Sequence, residues 1–369
     1  MKPQRVVLDS LAELRLLSGS PLRYRRQVLA LKQYFAGRSC TALLLDDSGA
    51  AEHGLHVHTI VHGVIGLSRT DSEYGGDRRR LRISKFRGRR FVGGYHDYRI
   101  ETGGLRVYPR LVAADHRQEL DLETVSTDSQ QLDALLGGGV NRGTGTLLAG
   151  AAGTGKSTLA TYIAMAAARR GEHAAFFTFD ESIRSLVKRS EGLGMHVTPH
   201  IESGLIHVQA VNAAELSPGE FIQRIRDAVE RDGARVIVID SLNGYLNAMP
   251  EEQFMLVQMH ELLSYLGSLG VITILVSAQL GLIGNMASSV DVSYLADCVV
   301  LLRYYELEGE VRHALSVLKK RTGGHERTIR SMSMTASEGV VIGPALRNYR
   351  GVLTGVPQAL KAADEAVPG

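Results

Sequence analysis

The sequence predicts an α/β fold in which a mainly parallel sheet carries helices on both of its faces. Three observations lead to this prediction. Apolar runs of strand length alternate with helix-forming runs from residue 146 onward. A glycine-rich phosphate-binding motif separates the first of these strands from its helix. The run Arg235 to Asp240 contains four consecutive β-branched apolar residues, which is typical of a strand buried on both faces.

The phosphate-binding motif spans residues 150 to 157 and matches G-x-x-x-x-G-K-[ST] completely. Its glycines allow backbone N–H groups to wrap a phosphate, Lys156 reaches the β- and γ-phosphates, and Ser157 offers a hydroxyl to Mg²⁺ at a helix N-terminus. The motif therefore predicts a site for a nucleoside triphosphate with Mg²⁺. The residues predicted to contact them are Gly150, Gly153, Thr154, Gly155, Lys156, Ser157, Thr158 and Asp240.

Carboxylates end two further strands at the edge where open α/β sheets bind ligands. Asp240 ends its strand and is predicted to hold Mg²⁺ together with Ser157. Asp180 and Glu181 follow the strand predicted at 174–179. Glu181 is predicted to activate water, and Asp180 is predicted to tune the pKa of Glu181 or to orient its carboxylate. The alternatives are a helix N-cap for Asp240 and helix-dipole complementation for the acidic pair.

The remaining elements of this region complete the alternation. A fourth strand is predicted at 271–277, and Gln279 just after it is a candidate sensor of the γ-phosphate, although a solvated loop residue is the more ordinary interpretation. Helices are predicted at 157–170, 220–231 and 252–269. This arrangement describes a RecA-type nucleotide-binding domain with a P-loop.

The chain also contains a tandem duplication. Residues 5–11 reappear at 235–242, which aligns Asp9 with Asp240 at an offset of 231 residues (240 − 9). Further matches pair 41–45 with 272–276, Lys85 with Lys319, Arg87 with Arg321, and Gly93-Gly94 with Gly323-Gly324. The first copy has no P-loop and no acidic pair, so it is expected to be incomplete and not to bind nucleotide. Truncation of a longer protein is favoured over pairing with another chain.

Four segments follow from these motifs. Residues 1–112 form the partial first copy without a P-loop, and residues 130–356 form the complete nucleotide-binding domain. Residues 113–129 between them are polar and acidic, and are predicted to be a linker. The tail at 357–369, rich in small and charged residues, is expected to be poorly ordered.

Together these motifs resemble the KaiC family of double-domain ATPases, over residues 5 to about 357. The resemblance also includes Leu132 to Val140, Gly93 to Tyr98 and Arg350 to Gly355. It implies a cytoplasmic ATPase that forms a homohexameric ring with ATP between protomers and acts with signalling or clock partner proteins. It further implies that Lys319 and Arg321 reach the phosphates held by a neighbouring subunit, whereas a solvated strand end is the interpretation without the family.

Two positions depart from the family pattern. Members that autophosphorylate carry an adjacent Ser-Thr pair, and the aligned residues here are Ser293 and Tyr294. The resemblance therefore leaves serine autokinase activity open at Ser293, with Ser288 and Ser289 nearby, but puts a two-site phosphorylation cycle in doubt. Asp180 stands where glutamate is usual, so Glu181 is expected to carry more of the catalytic task.

Composition limits the other function classes. The 44% hydrophobic and 22% charged content is that of an ordinary globular chain. No stretch approaches the roughly 18 apolar residues of a membrane span and no secretory signal is present, which predicts a cytoplasmic protein without a membrane partner. The basic run Arg78 to Arg90 keeps a RecA- or RadA-like DNA motor open. A third alternative is a nucleotide-dependent assembly scaffold.

Overall fold

The computed structural model describes residues 3–47, 55–71, 75–116, 123–212, 214–247, 254–279, 292–354 and 358–359. The chain divides into two compact units. Unit 1 comprises residues 1–70 and 78–110, and unit 2 comprises residues 71–77 and 111–369. The predicted Ser288 and Ser289, the loop at 280–286 and most of the predicted tail lie outside the described residues.

Unit 1 contains a small parallel sheet and an antiparallel one. Its strands are β1 (Arg5–Asp9), β2 (Thr41–Leu45), β3 (Gly63–Thr70), β4 (Arg78–Phe86), β5 (Tyr95–Glu101) and β6 (Gly104–Tyr108), and its helices are α1 (Leu11–Ser18), α2 (Pro21–Ala36) and α3 (Leu55–Ile60). β1 and β2 pair in parallel, whereas β3 to β6 form an antiparallel sheet in sequence order. Ser20 begins α2 by accepting a hydrogen bond from the Arg23 N–H, with Pro21 at the first helical position.

Unit 2 carries the predicted α/β domain. Its strands are β7 (Thr124–Val125), β8 (Val140–Asn141), β9 (Gly145–Gly150), β10 (His173–Thr178), β11 (Ile206–Ala210), β12 (Ala234–Asp240), β13 (Ile272–Ala278), β14 (Cys298–Leu307), β15 (Glu310–Lys320), β16 (Arg330–Thr335) and β17 (Gly339–Ala345). Its helices are α4 (Gln130–Leu135), α5 (Lys156–Arg169), α6 (Ile183–Gly192), α7 (Thr198–Glu202), α8 (Pro218–Glu230), α9 (Leu242–Asn247) and α10 (Met255–Ser268).

The main sheet of unit 2 has nine strands among the described residues, in the order β11-β10-β12-β13-β9-β14-β15-β16-β17. It is parallel from β11 to β14 and antiparallel from β14 to β17. The parallel part confirms the predicted α/β fold. The antiparallel extension was not predicted, because antiparallel strands joined by turns give no alternation with helices.

Helices cover both faces of this sheet, as predicted from the apolar run in β12. Val236 and Val238 pack into a core with α5 and α6, whereas Ile237 and Ile239 pack into a second core with α8 and α10. Successive strand residues point to opposite faces, so four consecutive β-branched residues supply both cores. No helix in the described ranges is long and apolar enough to cross a membrane.

Helix α8 begins at Pro218 and not at the predicted 220, because the Ser217 hydroxyl accepts a hydrogen bond from the Glu220 N–H. The segment predicted as a linker belongs to unit 2, and its start is packed into the core of that unit. Ala113 lies in the core beneath α8 and α10, and its N–H donates to a Glu261 carboxylate oxygen over 2.8 Å.

Strand pairing repeats between the two units. Asp9 lies opposite Leu45 where β1 pairs with β2, and Asp240 lies opposite Val276 where β12 pairs with β13. Both partners shift by 231 positions between copies (240 − 9 and 276 − 45). In the described part of unit 1, β1 and β2 pair only with each other, whereas β12 and β13 lie between β10 and β9. The strands β1 and β2 of unit 1 therefore correspond to β12 and β13 of the larger sheet.

The antiparallel strands repeat as well. The register of β3 against β4 shifts after Val64, and the register of β14 against β15 shifts after Val299. Lys85 lies opposite Val64 and Lys319 lies opposite Val299, so the two lysines occupy the same place in the two sheets. The irregularity itself is thus part of the duplicated structure.

Candidate nucleotide site

The P-loop connects the end of β9 to the start of α5 in the central part of the sheet. A Cβ atom at Gly150 would collide with the carbonyl oxygen of Leu302 on the neighbouring strand, and one at Gly155 would lie 2.7 Å from the Met334 sulfur. Gly150 is therefore required by the backbone of the neighbouring strand, whereas Gly155 is favoured by its φ of 91°, which L side chains rarely adopt. The strand–loop–helix context predicted for the motif is confirmed.

Lys156 is buried within the loop. Its Nζ donates to the Ala151 carbonyl oxygen over 2.6 Å, and the Thr154 hydroxyl donates to the same oxygen over 2.9 Å. Burial lowers the pKa of Lys156 to about 8, and the nearby carboxylate of Asp240 opposes this lowering. Lys156 is thus a poorly solvated cation, and an anion that enters the loop would stabilise its charge strongly.

Ser157 and Asp240 lie together although they come from distant parts of the sequence. Burial raises the pKa of the Asp240 carboxyl, the nearby Ser157 side chain lowers it, and the charge of Glu181 raises it further. A hydroxyl and one carboxylate beside a P-loop are the oxygen donors with which proteins usually hold Mg²⁺ on a bound phosphate. In the described residues no cluster of three or more His, Cys, Asp or Glu competes as a metal site.

The acidic pair after β10 is engaged in two different contacts. The Ser241 hydroxyl donates to Asp180 Oδ2 over 2.5 Å. Arg189, in the last turn of α6, donates to both carboxylate oxygens of Glu181 over 3.1 and 2.8 Å. The third nitrogen of the same guanidinium donates to the Thr158 hydroxyl over 3.1 Å. Glu181 is therefore tied through Arg189 to the first turn of the P-loop helix.

Arg189 is a site residue that sequence reasoning missed. It belongs to no motif, and its place beside Glu181 arises only because α6 folds back against α5. A cleft of about 520 Å³ opens next to the pair, lined among others by Glu181, Asn212 and Gly244. Its walls come from the ends of β10 and β11 and from α9, and not from the P-loop.

Gln279 lies beside the P-loop, as its position after β13 predicts. Its N–H donates to the Gly150 carbonyl oxygen over 3.0 Å. Its side-chain Oε1 is buried and has no hydrogen-bond partner among the described residues, which end at this position before resuming at Val292. The contact fixes the backbone of Gln279 next to the phosphate-binding residues.

Lys319 and Arg321 lie away from the P-loop of their own chain. Lys319 Nζ donates to the carbonyl oxygens of Ser293 and Ala296 over 2.9 and 2.8 Å, and Arg321 donates to that of Tyr294 over 3.1 Å. β14 runs parallel to β9, and the P-loop follows the end of β9. The start of β14 therefore lies at the other end of the strands from the P-loop. Lys319 pairs with that start and is separated from the loop by three residues of strand, roughly 10 Å.

Similarity to known proteins agrees with this geometry. A family model described as KaiC ATPase matches residues 1–112 and 125–347. The chain belongs to the KaiC family. Circadian clock protein KaiC2 of Synechocystis is 27% identical over 293 residues, which cover 78% of this chain and 50% of that protein. Circadian clock oscillator protein KaiC of Acaryochloris marina is 26% identical over 361 residues, 96% of this chain and 68% of that protein.

KaiC membership confirms the resemblance inferred from the motifs and gives unit 2 the RecA-like P-loop ATPase fold. It also identifies the P-loop site as one of an ATP-binding family. The chain spans about half the length of KaiC2 and 55% of circadian clock protein KaiC3 of Synechocystis.

Proposed function

We propose that this KaiC family chain binds and slowly hydrolyses ATP, and that its nucleotide sites lie between the subunits of a homohexameric ring. The observation that carries the proposal is the joint placement of Lys156, the Ser157–Asp240 pair and Glu181 at one edge of the sheet. These are the groups that phosphoryl transfer to water requires: phosphate-binding donors, oxygen ligands for Mg²⁺ and a carboxylate base.

The catalytic roles follow from the contacts. The P-loop N–H groups and Lys156 would bind the phosphates, and Ser157 and Asp240 would hold Mg²⁺, which neutralises phosphate charge when bound. Glu181 would accept a proton from the attacking water as the water oxygen bonds to the γ-phosphorus and ADP leaves. The ion pair with Arg189 engages both oxygens of Glu181, and each oxygen keeps a further lone pair that can accept from water.

The ring is supported by the position of Lys319 and Arg321. Both lie at the edge of the sheet opposite their own P-loop, where they can serve the site of a neighbouring subunit but not their own. A cation supplied across an interface makes hydrolysis depend on assembly. Ser293 shares this edge through its carbonyl contact with Lys319, so serine autokinase activity is proposed as a reaction between neighbours. Partner proteins in signalling or timing would then read the state of the ring.

A DNA motor finds weaker support in unit 1. The basic run at 78–90 forms β4 and the turn after it, and Lys85 Nζ donates to the carbonyl oxygens of His58 and Thr59 over 2.6 and 3.3 Å. Lys85 is therefore held within unit 1. DNA binding is tested by the hydrolysis measurement described next.

The test combines three measurements on the purified chain. ATP hydrolysis is measured with and without single-stranded DNA, light scattering reports assembly, and intact mass reports added phosphate. We expect slow turnover, indifferent to DNA, in an ATP-dependent hexamer. Strong stimulation by DNA that falls steeply with salt would favour a recombination motor. Assembly with ATP but without turnover would favour a scaffold.

Replacing Arg321 with alanine tests catalysis between subunits. We expect nucleotide binding by the isolated chain to be unchanged and turnover in assembled rings to fall about tenfold or more, because a charge-assisted contact to the γ-phosphate is lost. Arg327→Ala is the matched control, since Arg327 is exposed on the following loop. Unchanged turnover in Arg321→Ala rings of normal size would contradict a role in trans.

Replacing Arg189 with glutamine tests the restraint on Glu181. Because two charge-assisted hydrogen bonds use part of the capacity of Glu181 to accept from water, we expect the kcat of Arg189→Gln to rise severalfold with little change in ATP affinity. Arg189→Lys keeps the charge and should stay closer to the original rate. A lower kcat in Arg189→Gln would show instead that the arginine supports the base during turnover.

A further inference from the structure

Two side chains contact the outer side of the P-loop. Tyr304 on β14 and His313 on β15 lie opposite each other in the antiparallel register, with ring centroids 5.0 Å apart. The Tyr304 hydroxyl donates to the Ala152 carbonyl oxygen over 3.2 Å, and the His313 ring lies near the backbone of Gly153. This cross-strand pair therefore contacts two consecutive peptide groups at the tip of the loop.

We propose that Tyr304 and His313 brace the P-loop in the conformation that receives phosphate, and thereby set the affinity for nucleotide. The proposal rests on the ATP site described above and adds two positioning residues to it. Neither residue belongs to the P-loop motif, and neither needs to touch the nucleotide. Their effect is exerted through the backbone of Ala152 and Gly153.

The peptide bond is planar, so in a trans peptide the C=O of one residue and the N–H of the next point in opposite directions. When Tyr304 holds the Ala152 carbonyl outward, the Gly153 N–H must point into the loop. His313 packs beside Tyr304 and lies near the next peptide, whose Thr154 N–H donates to the Ala151 carbonyl oxygen over 3.4 Å. Inward N–H groups are the donors with which such a loop wraps a phosphate.

Burial lowers the pKa of His313, and the neighbouring Gly153 backbone acts against this lowering. A neutral imidazole retains one N–H, with which it can donate to a backbone carbonyl oxygen.

The carbonyl group of Ala151 is hydrogen-bonded by other residues of the loop itself. Ala151 directs its carbonyl oxygen inward, where Lys156 and Thr154 donate to it. The loop's own residues therefore orient one peptide group, and the brace lies against the next two. The fit is close, because a Cβ atom at Gly153 would collide with the Tyr304 hydroxyl.

The duplicated sheet of unit 1 provides an internal comparison. When the two register shifts are superimposed, the positions of Tyr304 and His313 correspond to Arg69 and Arg79, which also lie opposite each other. Unit 1 keeps the shift and the lysine of this hairpin but has two arginines where unit 2 has the tyrosine–histidine pair. The difference falls at a place where the hairpin of unit 2 touches the P-loop, a motif that the sequence of unit 1 does not contain.

The test measures binding of fluorescent methylanthraniloyl derivatives of ATP and ADP, with Mg²⁺ present, to the full chain. We expect Tyr304→Phe to raise the Kd of both nucleotides by about three- to tenfold, the effect of one lost hydrogen bond, because both place a β-phosphate in the loop. Tyr305→Phe is the matched control, since Tyr305 is the next residue of β14 and packs in a separate core on the other face. Its Kd should equal that of the unchanged protein.

His313 gives a second, independent arm. His313→Leu removes the donor and should weaken binding similarly, whereas His313→Gln restores an N–H donor and should recover part of the affinity. Melting temperatures of the nucleotide-free variants should match that of the unchanged chain, because these side chains orient the P-loop and do not stabilise the core. Equal affinity in Tyr304→Phe, tighter binding, or the same loss in Tyr305→Phe would overturn the proposal. If the unchanged chain binds neither nucleotide, the ATP site itself fails.

Discussion

Replacing Lys156 with alanine is expected to abolish nucleotide binding. The Nζ atom is buried in the loop and donates to the Ala151 carbonyl, so its charge is solvated by very few groups. A phosphate that enters the loop meets this cation in a poorly solvated environment, where the attraction is much stronger than in water. We expect the Kd for fluorescent ATP to rise more than about a hundredfold.

The same variant should remain folded, which makes the result interpretable. The Ala151 carbonyl keeps the hydrogen bond from the Thr154 hydroxyl when the lysine is absent. Lys188→Ala is the matched control, because Lys188 is exposed on α6. A melting temperature close to that of the unchanged chain, together with lost binding, would support the assigned role. A Kd for Lys156→Ala within a few fold of the original would contradict it.

The fold of unit 2 could be predicted because its signals are local. The P-loop spacing is read from eight consecutive residues, and β12 shows its two buried faces in four consecutive β-branched side chains. The acidic residues that end β10 and β12 could be assigned to one edge because parallel strands all end on the same side. Each of these predictions needed only the order of neighbouring residues along the chain.

The contacts that were missed depend on three-dimensional packing. Arg189 lies eight residues from Glu181 but also reaches Thr158 on α5, and an arginine in the last turn of an amphipathic helix is otherwise ordinary. Tyr304 and His313 are brought together by strand register, which depends on the irregularity after Val299. Neither type of contact leaves a spacing in the sequence that a motif could record.

The position of Lys319 and Arg321 could not be predicted from the sequence alone either. Family resemblance predicts their role, but the sequence alone does not say which edge of the sheet they occupy. The pairing of β14 with both β9 and β15 places them opposite the P-loop of their own chain. A role between subunits is therefore a proposal from geometry as well as from resemblance.

Replacing Glu181 with glutamine is expected to leave ATP binding intact and to lower kcat by about a hundred- to ten-thousandfold, because the amide cannot accept the proton of the attacking water. The contacts favour Glu181 over Asp180 as the base. The charge of Glu181 raises the pKa of Asp240, which shows that it lies near the proposed Mg²⁺ ligand. Asp180 is instead hydrogen-bonded to Ser241, whose hydroxyl also accepts from the Gly244 N–H in α9.

Asp180→Asn is the matched variant for this prediction, since it makes the same change of carboxylate to amide one residue away. We expect it to lower kcat by less than Glu181→Gln, because Asp180 positions α9 and does not take the proton. Single-turnover hydrolysis at saturating ATP measures both variants without interference from product release. Rates near the original in Glu181→Gln, or a larger loss in Asp180→Asn, would transfer the role of the base to Asp180. The ion pair with Arg189 would then hold Glu181 for a structural reason alone.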